Sequence, residues 1–292
     1  MRTPPSPVPV AGPRCLLGES PRWDGAAWWW LDVVVGAVYR MPPGAAAQLV
    51  LRTGRRASFV APLGRDRLVL ADETRLLRLT VADGDVRLEP WVELPVPDGW
   101  LLNDGCIGPD GSVWTGSVPP AGAAAAGDLI RVGVDGTISA PASGFALSNG
   151  LGWLDQRTLL HADSRTGVVW RHEFTDDFEL TGSSEYLRIP AAQGMPDGLA
   201  IDPSGLVWLA LYGGAAVLAI RNGRIVSRVA MPTAQTTAVA IGGPAGGELL
   251  VTTAQEGFDA ARSAAEPLAG RVFRCRVGAV PGPTMNASEE RV

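Results

Sequence analysis

The sequence contains no lysine: all 25 of its basic residues are arginine. That excludes Schiff-base chemistry and a lysine general base. Histidine is nearly missing too. His161 and His172 are the only two, too few for a three-histidine zinc site, and no Ser-His-Asp set is evident around them. Both fall in strand-like runs and read as structural. Cys15, Cys106 and Cys275 are odd in number and far apart, which is neither a disulfide framework nor a CxxC metal site, and points to a reducing compartment. Cys106 reads as a small buried residue without a catalytic role. The formal net charge is −5 with no basic block, which argues against nucleic acid or an anionic membrane as partner. No apolar run is long enough to span a bilayer, and MRTPPSPVPVAGPR lacks the apolar region of a secretory signal. The expectation is a cytoplasmic protein acting on a small-molecule substrate.

Amphipathic helical stripes are also missing. The Ala-rich stretches AGAAAAG and DAARSAAEP lack a sustained apolar face. What is present suits strands: Gly 36, Pro 24 and ten Trp, several of these in short alternating runs. WWWLDVVV, RLVLADE, SVWTGSV, TLLHADS, LVWLALY and ELLVTTA share one shape, apolar and mostly ending in a small or polar residue. Most follow a short segment and a turn, and most precede a further strand candidate such as GAVYRM, GDLIRVG or AAVLAIR. Asp83-Gly84, Asp135-Gly136 and Asn222-Gly223 connect the outer strands. Six such units recur at about 40 to 50 residues, the period of propeller blades. The fold class is therefore all-β, a six-bladed β-propeller, in preference to a β-sandwich with repeated hairpins. The expected organisation is one domain over residues 1–292. The segment before Leu16 would close the last blade, and MNASEERV would be a frayed tail.

A propeller sets the first strand of every blade around a central channel, so chemistry belongs at the repeat starts. These are Gly18-Glu19-Ser20-Pro21, Ala57-Ser58-Phe59, Asn103-Asp104-Gly105, Ser148-Asn149-Gly150, Pro196-Asp197-Gly198 and Thr236-Thr237-Ala238. Taken singly, Asn149-Gly150 and Asp197-Gly198 are ordinary turn dipeptides and Glu19 a surface residue. Taken at one phase of a repeat, a Glu, two Asn and an Asp become converging oxygen ligands. They suit a hard divalent cation, Ca²⁺, Mg²⁺ or Mn²⁺, with Zn²⁺ less favoured by ligand type.

LGESPRWD with WWWLDVVVGAVYR, NDGCIGPDGSVWTGS, LSNGLGWLDQRTLLHADS and GMPDGLAIDPSGLVWLALYGG, in this order, resemble the regucalcin, gluconolactonase and luciferin-regenerating enzyme family. The resemblance spans most of the chain from about residue 16 to 275. It implies a six-bladed propeller with one divalent cation in the channel, held by Glu19, Asn149 and Asp197. It places Asn103 at the metal, as a ligand or through water and substrate, makes Asp197 the general base, and sets Asp104 near the substrate. A metal would polarise a lactone carbonyl and stabilise the developing oxyanion.

The chain departs from the sugar-lactone members in two places. Their Arg shortly before the Asn-Asp pair is here Leu101, and their acidic residue in the following loop is lost in PPAGAAAAGD. A lactone rich in hydroxyls would lose hydrogen-bond partners there. Trp100, Leu101 and Leu102 either contact a more apolar substrate or only pack the loop. The leading expectation is a metal-dependent hydrolase opening a lactone or related ester less hydroxylated than gluconolactone. The alternatives are a metal-dependent isomerase, lyase or cyclase on a specialised metabolite, and a non-catalytic calcium-binding propeller.

Overall fold

The computed structural model describes residues 6–277 except 65 and 83. Asp83 of one expected turn and the tail MNASEERV lie outside the described residues. The described strands form six four-stranded antiparallel sheets, a six-bladed β-propeller. A short strand, β1 (Val8–Pro9), comes first. Blade one is β2 (Gly18–Trp23), β3 (Trp28–Asp32), β4 (Ala37–Met41) and β5 (Gln48–Arg52). Blade two is β6 (Ala57–Gly64), β7 (Arg67–Asp72), β8 (Arg75–Ala82) and β9 (Asp85–Glu93). Blade three is β10 (Leu101–Ile107), β11 (Val113–Val118), β12 (Gly127–Val132) and β13 (Ile138–Phe145). Blade four is β14 (Ser148–Trp153), β15 (Thr158–Asp163), β16 (Val168–Phe174) and β17 (Leu180–Arg188). Blade five is β18 (Met195–Ile201), β19 (Val207–Tyr212), β20 (Ala216–Arg221) and β21 (Arg224–Ala230). Blade six is β22 (Thr236–Gly242), β23 (Glu248–Thr253) and β24 (Phe273–Arg276), with β1 pairing on β24 as its fourth strand.

Burial is greatest in the second strands and falls outward from them, which explains the sequence pattern. Second strands such as β3 and β15 are buried at every position, so they read as unbroken apolar runs. Fourth strands such as β5 and β9 are mostly exposed or half-buried. The core lies between blades. Trp29, Leu31 and Val38 of blade one pack on Leu68, Leu70 and Leu79 of blade two, and equivalent clusters join every adjacent pair, including blade six to blade one. The Ala-rich DAARSAAEP does form one short helix, α1 (Ala260–Ala265), in the β23–β24 connection. It is capped by Asp259 and buries no residue, which is why no apolar stripe announces it. The Asn222-Gly223 turn links β20 to β21 with φ of 50° and 71°, the left-handed pair that a primed hairpin turn requires.

The acidic residues that end the second strands set the approach to the channel. The buried Asp32 carboxylate accepts the backbone N–H groups of Leu16 (2.9 Å) and Leu17 (3.2 Å), and the buried Asp163 those of Ala146 (3.0 Å) and Leu147 (2.9 Å). Each thereby fixes the segment that leads into an inner strand, β2 or β14. Removing one orphans two donors. Asp163→Ala is expected to lower the stability by about 2 kcal/mol, measured by denaturant unfolding. An unchanged midpoint would show that water replaces the carboxylate.

Candidate metal centre and active site

Every inner strand breaks register with its neighbour at the same place. The break falls between Glu19 and Arg22, Ala57 and Phe59, Leu102 and Gly105, Ser148 and Leu151, Pro196 and Leu199, and Thr236 and Val239. In each case the inner strand carries one more residue than its partner, a β-bulge that re-aims the side chains within it. The repeat starts are therefore bulges inside strands, not hairpin turns. Gly105, Gly150 and Gly198 are absent from the residues of positive φ, so they are not there for a turn. They are there for close approach. A Cβ on Gly105 would meet the Phe59 ring at 2.6 Å, one on Gly150 the Leu199 nitrogen at 2.6 Å, and one on Gly198 would collide with Ala238 of the next blade.

The bulges gather the expected residues from four blades. Glu19 lies in β2, half-buried. Asn103 and Asp104 lie in β10, Asn149 in β14 and Asp197 in β18, the last three with exposures of 4%, 8% and 5% for Asp104, Asn149 and Asp197. Their mutual influence shows the convergence. Burial, then the Asp104 charge, push the Glu19 carboxyl up to about 8. Burial, then Glu19 and Asp104, hold the Asp197 carboxyl well above the usual carboxylate range, against hydrogen-bonding contacts from the Gly198 backbone and Asn149. Asn103 Nδ2 donates to Ser148 O of the next blade at 2.7 Å, which leaves its carbonyl oxygen as the free end. Asn149 Nδ2 donates to Ser164 Oγ at 3.2 Å. Leu101, the first residue of β10, is half-buried and pairs with Val118, whereas Leu102 is core, packed with Phe59. The three apolar residues before Asn103 thus split: Leu102 packs the blade, while Trp100 and Leu101 stay partly exposed.

Two features escaped the sequence reading. Arg22, on β2, donates to Asp104 Oδ1 at 3.0 Å and to Gly105 O at 2.8 Å, so a guanidinium from blade one fixes a carboxylate of blade three. A charged residue inside an inner strand was the available signal. Ser20, buried beside Glu19, sits at φ 51°, a left-handed conformation that is costly for a residue with a Cβ. It is held by exchanging hydrogen bonds with the Val60 backbone of blade two, at 3.1 and 2.9 Å.

The histidines stand apart from this ring. His161 shares a 2.7 Å hydrogen bond with Ser148 Oγ and His172 a 2.8 Å one with Ser183 Oγ. Burial pushes the first well below its ordinary value and the second down to about 4, so both are neutral imidazoles, packed against Phe145 in tilted and edge-on contacts. Burial pushes the Cys106 thiol up to about 12, which removes the thiolate a nucleophile needs.

Among the described residues, no group of three or more His, Cys, Asp or Glu has metal-holding geometry. The expected ligand set does not depend on one, since it joins two carboxylates to two carboxamides. Its donor chemistry fits a hard cation. Asp197 Oδ1 and Asp104 Oδ2 are buried and have no hydrogen-bond partner, a costly state for an ionised oxygen unless a cation meets it. Three carboxylates, Glu19, Asp104 and Asp197, act on one another here, while Arg22 pairs with Asp104 and acts on Glu19, so two negative charges are in excess of that guanidinium when all are ionised.

Fold and site define a six-bladed propeller whose channel mouth presents acidic and amide oxygens on bulged inner strands. The chain belongs to the SMP-30/gluconolactonase/LRE-like family, whose profile matches residues 17–255. The family is of lactonase type. Pentonolactonase XacC of Haloferax volcanii is 30% identical over 286 residues, covering 94% of this chain and 95% of that protein. The structure of a luciferin-regenerating enzyme superposes with a TM-score of 0.80 at 26% identity, over 92% of this chain and 94% of that one. A calcium-binding protein, regucalcin, of Agrobacterium tumefaciens superposes with a TM-score of 0.81, over 94% of this chain and 98% of that one; at 23% identity the likeness is one of fold.

The buried charges make the metal-free protein sensitive to pH. In it Glu19 holds its proton up to about 8, whereas the unfolded chain releases it near the ordinary 4.5. Between these values the unfolded state binds fewer protons, so stability falls as pH rises through the window, is fully reduced above it, and is unaffected below it. The Tm of chelator-treated protein is expected to decline across that window, and Glu19→Gln to flatten the decline. A Tm that Glu19→Gln leaves equally pH-dependent would remove Glu19 as the cause. Arg22→Met strands Asp104 without its counter-charge and is expected to cost about 3 kcal/mol in denaturant unfolding.

Proposed function

We propose that this protein is a divalent-cation-dependent hydrolase that opens a small-molecule lactone, or a related ester, less hydroxylated than gluconolactone. The observation that carries the reading is the buried, unpartnered Asp197 Oδ1 within the ring of Glu19, Asn103, Asp104 and Asn149, in a chain of a lactonase-type family. Glu19, Asn149 and Asp197, with Asn103, would hold the cation; its identity is Ca²⁺, Mg²⁺, Mn²⁺ or Zn²⁺, the hard ions being favoured by oxygen ligands. Bound there, it supplies Lewis-acid polarisation of the lactone carbonyl.

The chain's own groups supply the rest. Asp197 is the general base. With the cation bound its carboxylate would be ionised at neutral pH, which leaves it able to accept a proton. It takes a proton from the attacking water as the new C–O bond forms at the carbonyl carbon. The ring C–O bond then breaks, and the proton is returned to the leaving ring oxygen, giving a hydroxy acid. Arg22 keeps Asp104 in place beside the substrate, and the free carbonyl oxygen of Asn103 faces the same space. Leu101 contacts the substrate where a polar side chain would otherwise hold hydroxyls.

The partly exposed Trp100 and Leu101 favour a second reading, a metal-dependent isomerase, lyase or cyclase on an apolar metabolite. Turnover of a non-ester substrate without consumption of water would establish it. The test of the first is a panel of lactones and esters assayed with and without chelator. Lactone hydrolysis is expected to stop with chelator and return with added cation. Asp197→Asn, folded by circular dichroism, is expected to lose kcat by about a thousandfold. Full activity in that variant would take the base away from Asp197.

A further inference from the structure

The mouth above the site is chemically two-sided. On the blade-three side stand the partly exposed Trp100 and Leu101, and the neighbouring loop, residues 120–126, has no charged side chain. The opposite side is built from strand ends that share this mouth with the inner-strand starts. Tyr212 closes β19, Gln235 precedes β22, Glu256 follows β23 and Arg56 precedes β6. They are joined one to the next. Tyr212 pairs with Gln235 across an isolated bridge, and Gln235 Nε2 donates to Glu256 O at 3.4 Å. Arg56 Nη1 lies 3.9 Å from Glu256 Oε1, a pair that joins blade two to blade six past blade one.

These groups are only loosely committed. Arg56 and Glu256 are 40% and 46% exposed, and their separation is at the limit of an ion pair, so little stability rests on it. Gln235 Oε1 is buried without a partner. Burial, then the charges of Asp197 and Glu256, raise the Tyr212 phenol, so that it stays an O–H donor. A donor, an amide, a carboxylate and a guanidinium in a row form a surface for hydroxyl groups, which both give and accept hydrogen bonds.

We infer that the substrate is a lactone hydroxylated along one edge and deoxygenated or alkylated along the other, its hydroxyls held by Arg56, Glu256, Gln235 and Tyr212 and its apolar edge by Trp100 and Leu101. This rests on the lactonase reading and narrows its substrate class. Binding and turnover are measured separately, so the two stand or fall apart. Calorimetric affinities of the Asp197→Asn protein, its bound cation verified by elemental analysis and the chelator-treated wild type used where the variant has lost it, are taken for gluconolactone, rhamnonolactone and nonalactone, which are hydroxylated throughout, on part, and not at all. Rhamnonolactone is expected to bind about tenfold tighter than either of the others. Arg56→Ala and Glu256→Gln are expected to lower the rhamnonolactone-to-nonalactone affinity ratio about tenfold, and Leu101→Arg to move preference toward gluconolactone. Both rim residues are half exposed, so their variants fold. Equal affinities for the three, or a ratio that neither rim variant moves, overturns the inference even when wild-type protein hydrolyses lactones. The expected ratios with no wild-type turnover of any of them support the two-sided mouth and overturn the lactonase reading.

Discussion

One extra residue in each inner strand governs both the closure of this propeller and its chemistry. A strand whose register breaks cannot pair every backbone group with its own blade, so the groups within the bulge turn sideways. Ser20 Oγ bonds the Val60 backbone, Ser58 Oγ donates to Leu102 O, Asn103 Nδ2 to Ser148 O, and Thr237 Oγ1 to Gly18 O. Each joins one blade to the next, and the last spans the junction between the end and the beginning of the ring. The same bulges sort their side chains. The hydroxyls of Ser58 and Thr237 are consumed by these lateral bonds, so blades two and six contribute structure. Glu19 and Asp197 have no such lateral use for their carboxylates, and Asp104 gives one oxygen to Arg22 of blade one while its Oδ2 has no partner, so blades one, three and five contribute charge.

That sorting explains what the sequence discloses. The six units are legible because the second strands are buried on both faces and appear as unbroken apolar runs with a common ending. Part of that ending has a use, since Asp32 and Asp163 anchor the backbone ahead of the inner strands. Asn149-Gly150 and Asp197-Gly198 are ambiguous because a turn and a tight blade contact both require glycine. Local propensity cannot separate the two, and only the shared phase of the repeats does. Contacts of long sequence separation leave no local trace. Arg22 and Asp104 are 82 residues apart, and nothing in GESPRWD names its partner. Arg56 and Glu256 are further apart still, and each looks like an ordinary surface charge.

The electrostatics separate the site from the rest of the molecule. Elsewhere the described buried carboxylates each meet a donor: Asp32 and Asp163 the backbone, Asp72 the Arg75 guanidinium at 2.8 Å, Asp202 the Ser204 backbone N–H. At the mouth the Glu19 and Asp197 carboxyls are raised by their acidic neighbours, Asp104 is paired with Arg22, and Asp197 Oδ1 and Asp104 Oδ2 have no partner. Such an arrangement opposes folding, and it persists because the surrounding blades leave it no alternative. Local inconsistency of this kind inside an otherwise consistent fold is the physical mark of a functional site.

Rigidity and variability are divided along the same lines. The side chains at the centre stand on inner strands locked by inter-blade cores such as the Trp29–Leu70 and Phe59–Leu102 clusters, so their geometry is fixed before any ligand arrives. The rim residues stand at strand ends and in connections, where exchange of a side chain disturbs no core. Leu101 shows how sharp the boundary is. It is half-buried at the strand's first position, while Leu102 beside it is fixed in the core and Asn103 beyond it is tied to blade four. A propeller of this design can therefore vary a residue at the start of an inner strand without moving the side chains at its centre.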